Sequence, residues 1–164
     1  MYDRQVSRAL DDEHRANLAL FERIEQAFAR ASRRGASGDG EVAQLAAALC
    51  RHIEHDVGRH FEFEERELFP RMADAGDGEM AALLEGEHAA IREIAATLLP
   101  LARGAAGGTL DDSGHARMRD GALDMIERQV AHIQKETMAL LPMLEDLLDD
   151  ATDRDLAFAY ADAK

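Results

Sequence analysis

The sequence predicts an all-α protein folded as an up-down-up-down antiparallel four-helix bundle. No segment alternates apolar and polar residues for long, and Ala, Leu, Glu and Arg outnumber the β-branched residues. Three glycine-rich stretches, RRGASGDGE (33–41), ADAGDGE (73–79) and RGAAGGTLDDSG (103–114), cut the chain into four long pieces with helical periodicity. Long helices joined by short connections favour antiparallel neighbours. A length of 164 residues, 46% hydrophobic and 32% charged, suits one packed domain. The bundle is expected over 1–150, with 151–164 as a C-terminal tail or short helix.

Each helix has an inward stripe at steps of three and four residues. The first, near 4–32, reads Leu10, His14, Leu18, Phe21, Ile24, Phe28. The second, near 41–72, reads Val42, Leu45, Leu49, Ile53, Val57, His60, Glu64, Leu68. The third, near 79–102, reads Ala81, Leu84, His88, Ile91, Ala95, Leu98. The fourth, near 115–149, reads Met118, Ala122, Met125, Gln129, His132, Glu136, Leu140, Met143. The pattern also allows a short fifth helix near 152–162. Polar residues interrupt every stripe. Burying an ionisable group without a partner costs several kcal/mol, so the inward histidines and glutamates require a shared one.

Composition excludes several classes. A net charge of −14 opposes binding to a phosphate backbone, so no nucleic acid partner is expected. Cys50 is the single cysteine, which rules out an intrachain disulfide or a thiolate metal cage and fits a reducing compartment. The N-terminus, MYDRQVSRALDDEH, lacks the apolar run of a signal peptide, and no stretch approaches a membrane span. The expected location is the cytoplasm.

The polar interruptions form an internal repeat. Glu13-His14 and then His60-x-x-x-Glu64 in the first half match Glu87-His88 and then His132-x-x-x-Glu136 in the second. Pro70 and Pro142 each follow their histidine by ten residues, in HFEFEERELFP and HIQKETMALLP. With 16 glutamates in 164 residues, about one histidine in ten has a glutamate four later by chance. One such pair among seven histidines is therefore unremarkable, but two at equivalent places of matched halves are not. Two helical hairpins related by a pseudo-twofold axis would bring both sets to one level of the bundle.

Residues four apart on a helix lie about 6 Å along the axis and roughly 40° around it, so each His-x-x-x-Glu pair points into one space. Four imidazoles and two carboxylates are too many ligands for one ion. They suit two ions about 3.5–4 Å apart, ligated by His14, His60, Glu64, His88, His132 and Glu136 with both glutamates bridging. Imidazole and carboxylate without thiolate favour iron, with Mn or Zn as alternatives. Coordination positions remain for a bridging oxide or hydroxide and for a small exogenous ligand. Glu85-x-x-His88 and, loosely, Asp11-x-x-His14 fit the Glu-x-x-His of ferritin-like sites, but that pattern leaves His60 and His132 unexplained, so Asp11 and Glu85 are expected outside the ligand set.

At these residues the chain resembles the hemerythrin-like, HHE cation-binding family over about residues 8–145: a His on helix one, H-x-x-x-E on helix two, a His on helix three and H-x-x-x-E on helix four. The resemblance implies a hemerythrin-like di-iron bundle. Oxygen-carrying hemerythrins have a further His four after the helix-three His and an Asp five after the helix-four His, where this sequence has Arg92 and Thr137. The symmetric set is more similar to bacterial di-iron proteins linked to repair of iron centres under nitrosative and oxidative stress. If Arg92 faces inward, it leaves a coordination position open and offers hydrogen bonds to a bound anion or a bridging carboxylate.

Nearby residues receive plainer expectations. His52 should be turned about 120° from Glu64, so His52, His55 and His115 are expected in solvent. Asp56 is placed to orient His60 through its second ring nitrogen. Glu62, Glu65 and Glu67 are expected on a solvated face with Glu65 adjoining the site, Phe63 and Ile91 as pocket walls, Cys50 in packing, and EDLLDDATDRD (145–155) as a soluble tail. The expected function is binding or reduction of a small oxidant, oxygen, peroxide or nitric oxide, in oxidative or nitrosative stress or iron homeostasis. The alternatives are an iron or oxygen sensor or reservoir without turnover, and a metal-free interaction module, which the inward polar residues disfavour. About fifteen residues follow the bundle, too few for a sensor's output domain.

Overall fold

The computed structural model describes residues 2–34 and 40–162. The loop expected over 33–41 lies largely at 35–39, outside the described residues, as does the side chain of Asp56. Helix α1 spans Gln5–Arg34. Helix α2 (40–72) alternates α-helical stretches, Gly40–Arg51, Gly58–Phe63 and Phe69–Met72, with wider π turns over His52–Val57 and Glu64–Leu68. The chain reverses over Ala73–Asp77, where Gly76 adopts φ 100°, a conformation that favours glycine. Helix α3 is Gly78–Ala106. Helix α4 (112–147) is α-helical over Asp112–Lys135 and Leu141–Leu147 with a π turn over Glu136–Leu140 between them. Helix α5, Asp150–Asp162, follows.

The third connection is shorter than its twelve glycine-rich residues suggest, because helical turns consume both ends. Leu110 packs where a Cβ on Gly104 or Gly114 would come within 2.8 or 2.9 Å of its Cδ2, so both glycines let helix ends close on one leucine. Asp111 then caps α4 by accepting the Gly114 N–H at 2.6 Å.

The matched prolines explain two of the π turns. A proline has no N–H, and its ring clashes with the carbonyl four residues back. Just before Pro70 and Pro142, the Phe69 N–H bonds to the Glu64 carbonyl and the Leu141 N–H to the Glu136 carbonyl, both five residues back. One extra residue in each turn takes up the mismatch.

The core has two apolar clusters with a polar level between them. One contains Phe21, Leu49, Val57, Phe61, Ile91, Met125 and Ile133; the other contains Leu10, Leu68, Leu84, Leu140, Leu144 and Leu156. Every long helix crosses from one cluster to the other through the predicted polar residues: Leu10, His14, Phe21 on α1; Val57, His60, Leu68 on α2; Leu84, His88, Ile91 on α3; Ile133, Glu136, Leu140 on α4. Among the described residues, no helix is long and apolar enough to cross a membrane.

The 145–155 stretch is more than a solvated tail. Glu145 accepts the N–H groups of Asp3 and Arg4 at 2.6 and 3.1 Å, and buried Asp153 accepts those of Gln5 and Val6 at 2.8 and 3.0 Å. The first N–H groups of a helix have no partner within it, so two carboxylates from the far end of the chain supply one. This docks α5 on α1 and sends Leu156 and Tyr160 into the second cluster.

Candidate metal centre

All six predicted residues meet at the polar level, each at most 5% exposed. Their histidines approach in pairs through Nε2: His14 and His60 at 3.3 Å, His88 and His132 at 2.8 Å. Each carboxylate reaches into both pairs, and Glu136 Oε1 also lies 3.8 Å from His88 Nε2. Glu64 reaches His60 Nε2 with Oε1 at 3.0 Å and His88 Nε2 with Oε2 at 3.3 Å. Glu136 reaches His132 Nε2 with Oε1 at 2.9 Å and His14 Nε2 with Oε2 at 3.1 Å. The donor atoms fall into two groups, each with all atoms within 4.8 Å of one another: His14, His60, Glu64 and Glu136, and His88, His132, Glu64 and Glu136. Both glutamates belong to both groups.

The electrostatics call for cations. All four oxygens of Glu64 and Glu136 are buried, and among the described residues the groups that approach them are histidine ring nitrogens. Burial alone would push both carboxyls up, and the two repel each other, yet the neighbouring histidines hold Glu64 below the usual carboxylate range and Glu136 well below it. Burial alone would lower the histidines, but the carboxylates raise His60 well above its ordinary value, His88 to about 9, and His132 as well. Ionised, buried carboxylate oxygens facing four ring nitrogens fit a metal pair held by imidazole and carboxylate.

The outer ring nitrogens carry a second layer that the sequence reading did not assign. His60 Nδ1 lies 3.2 Å from Glu13 Oε1 and 2.9 Å from the Tyr160 hydroxyl, which itself donates to Glu13. His132 Nδ1 lies 2.9 Å from Glu87 Oε2, and His88 Nδ1 lies 2.9 Å from Glu65 Oε1. A carboxylate that accepts the Nδ1 proton leaves the Nε2 lone pair free to face inward. Glu13 and Glu87 are repeat equivalents, each next to one inward histidine and serving the other of its half. Glu65 and Glu87 are held by cations, Arg92 at 2.6 Å and Lys135 at 2.6 Å, and both carboxyls lie below their ordinary range despite partial burial. Phe61 stacks on His88 with centroids 3.6 Å apart and ring planes 6° from parallel.

Several expectations need correction. His52 is buried, 2% exposed, and its Nε2 meets Gln129 Oε1 at 3.0 Å. The π turn over His52–Val57 accounts for this: one extra residue sets the phase back by about 100°, so His52 and His60 end roughly 20° apart. His115 is half-buried rather than solvated, whereas His55 is exposed. Phe63 packs in the second cluster against Tyr160, and the ring at the site is Phe61. Ile91 is buried in the first cluster. Arg92 does not reach a bridging carboxylate; it pairs with Glu65 and lies 5.4 Å over Phe61. Asp11 pairs with Arg15 at 2.7 Å and Glu85 is exposed, so neither joins the site. Cys50 is buried, and burial pushes its thiol up.

A family model, the hemerythrin HHE cation-binding domain, matches residues 5–144. No curated protein and no solved structure matches the chain significantly. The matched span contains all six converging residues together with Glu13, Glu65 and Glu87, and stops before Tyr160.

Proposed function

Since the chain belongs to the hemerythrin HHE cation-binding domain family, we propose that it is a non-haem di-iron protein that binds or reduces a small oxidant, oxygen, peroxide or nitric oxide. Four buried carboxylate oxygens converging with four imidazole Nε2 atoms, in two groups that share both glutamates, carry this reading. His14 and His60 would hold one ion and His88 and His132 the other, with Glu64 and Glu136 available to both. Imidazole and carboxylate without thiolate favour iron over zinc or the all-oxygen cations. When bound, such a pair supplies electrons and open coordination positions for a small ligand.

The protein's own groups fix the site before any ligand arrives. Glu13, Glu87 and Glu65 hold the Nδ1 protons of His60, His132 and His88, which sets the tautomer and aims each Nε2 inward. Arg92 and Lys135 balance two of those carboxylates from outside and keep them from competing for the cations. The two apolar clusters exclude water above and below. The order in which the helices cross from cluster to cluster supports an up-down-up-down bundle.

Arg92 and Thr137 stand where an oxygen carrier has further ligands, so the reading favours consumption of the oxidant over reversible carriage. The test is iron analysis of reconstituted wild type and of a Glu64→Ala, Glu136→Ala double variant, followed by rapid mixing of reduced protein with oxygen. About two irons per chain, loss of iron in the variant and irreversible oxidation are expected. Iron near zero in wild type, or full iron in the variant, overturns the metal assignment. A spectrum that reverses under vacuum over repeated cycles overturns the choice of reactivity.

A further inference from the structure

A buried polar side chain beside the centre takes no part in holding it. Gln129 is 3% exposed; its Oε1 is engaged by His52 Nε2 at 3.0 Å, and its Nε2 has no hydrogen-bond partner. An unmade buried donor is costly, so a native chain retains one where something else accepts from it. Gln129 lines a narrow cavity together with His14, Asn17, His60, His132 and Glu136. The space for the centre of a water-sized molecule there is about 10 Å³, enough for about one.

The repeat shows that this donor is a one-sided addition. Gln129 lies three residues before His132, and its counterpart three before His60 is Val57, which lines the same cavity. His52 lies eight before His60, and its counterpart is Asp124, exposed and paired with Arg128. Equivalent walls of one cavity thus present an apolar surface and an amide N–H.

We propose that Gln129, held by His52, donates a hydrogen bond to a small ligand bound at the metal pair, selecting ligands whose acceptor atom beyond the ligating one takes up that single water-sized space. His52 is a positioning residue: by occupying Oε1 it leaves the amide N–H₂ as the group offered to the cavity. The proposal rests on the di-iron reading and narrows its ligand to species with an acceptor atom next to the ligating one, such as reduced oxygen.

The test uses azide and a Gln129→Met variant, which keeps the length and shape of the side chain and removes the donor. Iron content, the melting curve, the azide dissociation constant from the visible absorption of oxidised protein, and the infrared stretch of bound azide are measured for both proteins. Unchanged iron, about five- to tenfold weaker azide binding and a shifted stretch are expected. Equal affinity with an unshifted stretch overturns the proposal, since only an ordered water then uses the amide. Loss of iron in Gln129→Met also overturns it, because Gln129 would then serve the metals. Wild type that takes up no iron removes the di-iron reading itself, a result distinguishable from both.

Discussion

The Tyr160 hydroxyl lies 2.9 Å from Nδ1 of His60 and also donates to Glu13, so the last helix of the chain reaches the back of one ring in the centre. Among the described residues the other half has no equivalent, and Lys135 and Glu87 attend His132 there. The two groups of donor atoms are therefore alike in their inner residues and unlike in their support.

Tyr160→Phe keeps the ring in the second cluster and removes the hydroxyl. One of the two irons should bind about tenfold or more weakly while the other is unaffected, since outer partners of ligating histidines are worth about 10–100-fold in affinity. Competition against a chelator of known affinity measures this as a separation of two previously closer steps. Equal weakening of both, or of neither, would show that the hydroxyl does not act through His60.

Chelation should lower the melting temperature by roughly 5–10 °C, because a ligand present at about a hundred times its dissociation constant stabilises by about 2.7 kcal/mol and each kcal/mol moves a domain of this size by about 2–4 °C. Removing the cations leaves Glu64 and Glu136 facing each other with only the histidines as counter-charge. An unchanged melting curve in protein verified as metal-free would contradict the placement of the ions between the two clusters.

The carboxylates at the start of α1 give a pH-dependent prediction. Asp153→Ala strands the N–H groups of Gln5 and Val6 and should cost about 1–2 kcal/mol. Burial pushes the Glu145 carboxyl up, but the Asp3 N–H, the Ser7 side chain and the Arg4 N–H together outweigh it and hold the group below its ordinary range. A lowered folded pKa means that its contribution is complete above the ordinary glutamate value of about 4.3 and fades as the pH falls through the folded value. The stability gap between wild type and Glu145→Ala should be constant from pH 8 to 6 and close progressively below pH 4.5, as read by urea unfolding. A gap that widens in acid would reverse the sign argued here.

His14 Nδ1 is buried and makes no hydrogen bond, unlike the other three inward histidines. By the repeat, the position matching Glu65, one after the bridging glutamate, is Thr137. Thr137→Glu should supply the missing acceptor and tighten one metal position by up to about tenfold. Isothermal titration of wild type and variant with ferrous ion under anaerobic conditions checks this, and weaker binding in the variant would show that the pseudo-twofold relation fails at this level.

The inner residues were legible in the sequence because ligation by a helix pair imposes its own spacing, and the chain states that spacing twice. The outer residues were harder to read for a geometrical reason. Glu13 and Glu87 each turn about 100° away from the adjacent histidine and act on a ring from another helix, so no spacing within one helix reveals them. Their repetition beside each first histidine was the available signal. Tyr160 has no counterpart in the repeat and is located by docking of α5. His52 departs from the phase that a uniform hundred degrees per residue gives it because a π turn begins at that residue, and nothing in the local composition marks the turn.

The π turns over Glu64–Leu68 and Glu136–Leu140 tie the aim of the two carboxylates to the packing of one end of the bundle. Each carries one extra residue, so the helix beyond it is rotated by about 100° from where an unbroken α-helix would leave it. The faces that Phe69 and Met72 on α2, and Leu141 and Leu144 on α4, turn into the second cluster therefore depend on turns that begin at Glu64 and Glu136. A substitution that let either turn close would unseat leucines and phenylalanines a full turn away from the glutamate itself.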